Sequence, residues 1–77
     1  MNKLRRSELW KLVDQLEFVR CKLETLKDEE QEYADNMPDN LQDSEKHEKA
    51  IMTCEALEEA ECSVQEAIEF VEQSLNE

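Results

Sequence analysis

An all-α fold is predicted for this chain: an antiparallel two-helix hairpin of residues about 3–37 and 44–75 in one domain spanning 1–77, pairing with a second copy into a four-helix bundle. Three observations predict the hairpin. The 77 residues include no glycine and one proline, a composition that favours nearly unbroken helix over sheet or disorder. That proline, Pro38, lies near the middle of the chain, so helix can form on either side of it. On both sides, apolar residues recur at alternating spacings of three and four, the pattern of a helix that buries one seam.

In the first half, Leu9, Leu12, Leu16, Val19, Leu23 and Leu26 keep that rhythm, and it continues through Glu30, Tyr33 and Met37. These leucines and valine are the expected intrachain core of the first helix. Trp10, Phe18 and Cys21 project to the other side at about 100° per residue. One partner helix cannot cover both stripes, so the aromatic one is expected to meet a second chain or a target protein. Val13 falls between them and fits either. The acidic run Lys27-Asp-Glu-Glu-Gln-Glu32 reads as a solvated face, because consecutive helical carboxylates point in different directions and cannot converge on one ion.

The turn is expected at 37–43. Pro38 has no N–H to donate and pushes Met37 out of the α region, so the first helix ends near Asn36 or Met37. Asp39, Asn40, Asp43 and Ser44 supply capping oxygens. Ser44 is the expected N-cap of the second helix, with Glu45 and Glu48 in the first turn at the positive end of the helix dipole. A loop of about six residues joins antiparallel neighbours.

In the second half, Ala50, Cys54, Leu57, Glu61, Val64, Ile68, Val71 and Leu75 repeat the rhythm. Folding at the turn sets Leu26 opposite Cys54, Leu23 opposite Leu57, Leu16 opposite Val64, Leu12 opposite Ile68 and Leu9 opposite Val71. Two independent seams meeting in one register is the main reason to expect the hairpin. His47 falls near Tyr33 and reads as a partly exposed residue beside the loop. Ala56, Ala60, Ser63, Ala67 and Ser74 form a row of small side chains bordered by Met52 and Phe70, a second candidate interface because small residues let another helix approach closely.

The net charge is -12 and unevenly placed. Residues 1–27 carry seven Lys or Arg against four acids, and residues 28–77 carry two against seventeen. The hairpin lays Lys3, Arg5, Arg6 and Lys11 beside Glu66, Glu69 and Glu72, exposed pairs worth about 0–1 kcal/mol each. Cys21, Cys54 and Cys62 form no Cys-x-x-Cys pair and are expected to be free thiols. No apolar run is long enough to span a bilayer and no signal peptide opens the chain, so a cytoplasmic protein that does not enter membranes is expected. A two-helix rod buries little, and with no disulfide or metal site evident a homo-oligomer, most simply a dimer through the Trp10, Phe18 and Ala60, Ala67 faces, is expected to complete the core.

The motifs Asp28-Glu-Glu-Gln-Glu32 and Asp35-Asn-Met-Pro-x-Asn-Leu-Gln-x-Ser44, followed by Glu45 and a Glu- and Ala-rich helix, resemble an uncharacterised family of small acidic helical-hairpin proteins of bacteria and phages. The resemblance covers about residues 20–72. It implies a hairpin and a bacterial or phage cytoplasmic setting, with no catalytic residues to carry over. After Glu45 the chain reads Lys46-His47, where relatives often have arginine with glycine or tyrosine, and Trp10, the cysteines and the basic N-terminus lie outside the pattern.

No nucleophile with its base, phosphate loop, metal motif or cofactor box is present, so the chain is not expected to be an enzyme. The expected function is that of a non-enzymatic, self-associating interaction protein that binds a host or cellular protein. A second possibility is an anti-defence or host-takeover inhibitor that imitates nucleic acid with the acidic rows Glu55, Glu58, Glu59, Glu66, Glu69 and Glu72. A third, capture of a small nucleotide by the oligomer, would need Lys3, Arg5, Arg6, Lys11, Arg20 and Lys22 to converge. Direct nucleic-acid binding is disfavoured by the sign of the field.

Overall fold

The protein is seen in a computed structural model that describes residues 1–42 and 44–76. Helix α1 runs Lys3–Asp35, a single 3₁₀ turn spans Asp39–Leu41, and helix α2 runs Glu45–Leu75. The two helices pack antiparallel along their lengths in a rod of 60 × 14 × 13 Å.

Each end of each helix has a local cause. Asn2 caps α1, its side-chain oxygen accepting from the Arg5 amide at 2.7 Å, a start signal that the sequence carried and that the heptad pattern does not display. At the other end the Asn36 amide donates to the Glu32 carbonyl at 3.0 Å, and Pro38 in extended geometry stops further helix. Gln42 Nε2 donates to the Met37 carbonyl at 2.8 Å and ties the turn to the end of α1. Ser44 caps α2 as expected, its hydroxyl accepting from the His47 amide at 3.3 Å, with Glu45 and Glu48 in the first turn. Asp43, expected to contribute a capping oxygen, lies outside the described residues.

The α2 seam is the one the sequence predicts, with Ala50, Cys54, Ile68 and Leu75 buried and Leu57, Val64 and Val71 half-buried. The α1 seam requires a correction. Leu9, Leu16 and Leu23 are half-buried in it, but Leu12, Val19 and Leu26 are exposed at 48%, 43% and 50%. Val13 is 5% exposed instead and packs with Ile68 and Leu75, flanked by Leu9, Leu16, Val64 and Val71. The buried line of α1 is therefore Leu9, Val13, Leu16, Arg20, Leu23, Lys27, Glu30, Ala34.

The glutamate in the α2 seam gives the physical reason. On the leucine line Glu61 would face Val19, leaving a carboxylate against hydrocarbon, which is costly. On the observed line Lys27 Nζ reaches Glu61 Oε2 at 3.1 Å, with both side chains largely covered. The register is otherwise close to the predicted one, displaced by one residue at alternate layers. Cys54 Sγ donates to the Lys27 carbonyl at 3.9 Å, and the Arg6 guanidinium donates to the Leu75 carbonyl.

Candidate protein-interaction surfaces

Rotating α1 so that Val13 and Lys27 face α2 leaves the rest of the apolar arc uncovered. Leu12, Val19, Leu26 and Tyr33 each precede a seam residue by one and recur every seven, so they form a straight row along one flank of the seam. On α2 the residues that precede the seam by one are Thr53, Ala60, Ala67 and Ser74. In an antiparallel pair these two rows lie on the same side of the rod. A groove lined by Tyr33, Met37, Pro38, Leu41 and Lys46, with Glu29 and Glu32 at its edge, continues that side at the turn end.

Away from the turn end the same side is poor in acid. None of the glutamates of α2 lies on the row Lys46, Thr53, Ala60, Ala67, Ser74 or on the next row outward, Lys49, Ala56, Ser63, Phe70. The corresponding rows of α1 carry Glu8 and Glu29 against Arg5 and Lys22. In a chain of net charge -12, one side of the rod is therefore slightly basic and rich in Leu, Val, Tyr, Phe and Ala.

The opposite flank and the outer surface carry the acid. Glu55, Glu58, Glu59 and Glu66 line one shallow depression on the outside of α2 with Met52 and Cys62, and Glu69 and Glu72 extend the same faces. A second depression, between the helices, is lined by Lys27, Asp28, Gln31, Ile51, Glu55 and Glu58. Four of the six predicted acidic residues thus line the first depression, and two of those, Glu55 and Glu58, also line the second.

Trp10, Phe18 and Cys21 are exposed, but on this acidic flank and the outside of α1. They do not share a side with Ala60 and Ala67, so the interface combining them does not form one face. Phe18 instead lies under its own neighbour, with Lys22 Nζ 6.0 Å from the ring centroid. Phe70 borders the acid-poor side, Met52 lies with the acids, and Ala56 stands between, at the edge of the acidic depression. His47 is half-buried at the start of the α2 seam, and Tyr33 is exposed.

The basic residues do not converge. Arg20 is held on its own helix by Glu17 at 3.1 Å and Glu24 at 3.7 Å, and Arg6 is engaged at Leu75. The hydrogen bond to Glu61 holds Lys27 above the usual lysine range, and burial pushes the Cys54 thiol up, helped by Glu30 and Asp35. Among the described residues no three His, Cys, Asp or Glu side chains group as a metal site requires, and no helix is long and apolar enough to cross a membrane. No family model matches the chain, and neither a curated protein nor a solved structure shows significant similarity to it.

Proposed function

We propose that this chain is a non-enzymatic helical interaction protein of a bacterial or phage setting, in which two hairpins associate through the acid-poor side and present the acidic surface to a protein partner. The observation that carries the proposal is the row Leu12, Val19, Leu26 and Tyr33, more than 40% exposed at each position and continuous for about 30 Å at 1.5 Å per residue. An exposed apolar row of this length favours an interface over a solvated surface. Light scattering on the full chain at micromolar concentration tests it. A dimer is expected, and Leu26→Glu is expected to give a monomer that circular dichroism shows to be still helical. A natural chain that stays monomeric and melts cooperatively at that concentration overturns the proposal.

The segregation of charge favours a particular class of partner. With acids gathered on the outside of α2, a basic protein that handles nucleic acid fits better than an acidic one, and imitation of a phosphate backbone is the corresponding mechanism. Retention of host proteins on the immobilised chain at low and high salt tests this. Basic partners lost at high salt support imitation, and partners kept at high salt support an apolar contact.

A further inference from the structure

The acid-poor side has a shape as well as a charge. Its α1 half is a ridge of Leu12, Val19, Leu26 and Tyr33, and its α2 half is a trough of Thr53, Ala60, Ala67 and Ser74. We propose that the occupant is a second copy related by a two-fold axis parallel to the rod, so that the ridge of each copy fills the trough of the other and both turns lie at the same end. This inference rests on the self-association proposed above and specifies its geometry.

Two face-to-face arrangements of identical hairpins are compatible with closed symmetry. With the axis across the rod, α1 stacks on α1 and α2 on α2. Bulky side chains then meet bulky ones while Ala60 and Ala67 meet small ones, overfilling one half of the core and leaving a void in the other, both of which are destabilising. With the axis along the rod, every α1 lies on an α2 of the other copy. In both arrangements each of the four helices is antiparallel to both of its neighbours, as in up-down-up-down bundles, so side-chain size decides between them.

The axis along the rod also fixes the register, because it leaves height unchanged. Within one copy Val13 packs level with Ile68, and the Lys27 backbone lies at Cys54. Leu12 of one copy therefore lies about two residues, or about 3 Å, from the height of Ala67 of the other, and Val19 and Leu26 stand in the same relation to Ala60 and Thr53. Charge agrees, since Glu29 of one copy comes near the height of Lys49 of the other, and no glutamate of α2 enters the contact. The face, about 30 Å long and about 20 Å across two helices, covers about 600 Å² per copy, or about 1,200 Å² in all, which reaches the size of stable specific interfaces.

The test uses the full chain. In the first experiment, Asn40→Cys is combined with Cys21→Ser and Cys62→Ser, leaving only buried Cys54 besides the new thiol. Nitroxides are attached at position 40 and their separation is measured by pulsed electron resonance, after light scattering confirms that the variant dimerises as the natural chain does. A separation of roughly 30 Å or less is expected from neighbouring helix ends and the label arms. A separation near the 60 Å length of the rod overturns the inference while leaving self-association intact. A chain that does not dimerise overturns both.

The second experiment exchanges sizes across the contact. Ala60→Leu alone is expected to weaken dimerisation on the order of tenfold or more by overfilling the trough. Adding Val19→Ala is expected to restore dimerisation, with helix content by circular dichroism unchanged throughout. Dimerisation that is unchanged or tightened by Ala60→Leu alone, as a void between two α2 helices would allow, overturns the arrangement.

Discussion

Cys54 shows how one residue reports the seam it sits in. It is buried between the helices with its thiol on the Lys27 carbonyl, and desolvation disfavours the thiolate. Cys21 and Cys62 are exposed. Iodoacetamide at pH 8 is therefore expected to modify Cys21 and Cys62 at least about tenfold faster than Cys54, with the difference disappearing in denaturant. Equal rates in the folded chain, followed by mass spectrometry, would place Cys54 outside the seam. Lys27 gives a pH-dependent counterpart. The hydrogen bond that Lys27 donates to Glu61 raises its folded pKa above the ordinary 10.5. The pair's contribution to stability is thus fully present below about pH 10.5 and is lost as pH rises through the folded value. In Glu61→Gln the Lys27 side chain, followed by NMR through its ε-carbon, is expected to titrate at lower pH than in the natural chain. Ile68, at 1% exposure the most enclosed large side chain, anchors the apolar end of the seam. Ile68→Ala is expected to cost about 2–5 kcal/mol in urea unfolding.

Helix α2 carries better start signals than α1. Ser44 satisfies an amide that would otherwise lack a partner, and Glu45 and Glu48 meet the positive end of the dipole, whereas the first turn of α1 contains no acid. Ser44→Ala is expected to cost about 1 kcal/mol and to lower the melting temperature without changing the state of association. Helix α1 has the opposite character. Its start is capped by Asn2 alone, and its seam admits Arg20, Lys27 and Glu30, so its packing depends on which side chains α2 offers in return. A carboxylate at position 61 selects a cation at position 27, and Leu12, Val19 and Leu26 become surface. The clue lay in the sequence as one Glu in the apolar row of α2 and the cations Arg20 and Lys27 in one row of α1. It is legible only once the register between the helices is known.

For the whole molecule the decisive quantity is the sign of the response to salt. Two copies of net charge -12 repel at long range, while the side proposed for their contact is poor in acid. Screening that repulsion is expected to tighten self-association as sodium chloride rises from about 20 to 500 mM, where the Debye length falls from about 20 to 4 Å. Sedimentation equilibrium across that range checks it, and association that weakens with salt would instead indicate a contact built from ion pairs. By itself the sequence determined the two helices, the turn at Pro38, the cap at Ser44, the α2 seam and the approximate register. Each of these follows from backbone chemistry or from a periodicity with one solution. Only the tertiary structure decided which flank of α1 is buried. Leu9, Leu16 and Leu23 belong equally to a line through Leu12, Val19 and Leu26 and to one through Val13, Arg20 and Lys27. A helix read alone has no means of choosing between two lines that share every other member. The choice falls to whatever stands opposite, and here that is Glu61.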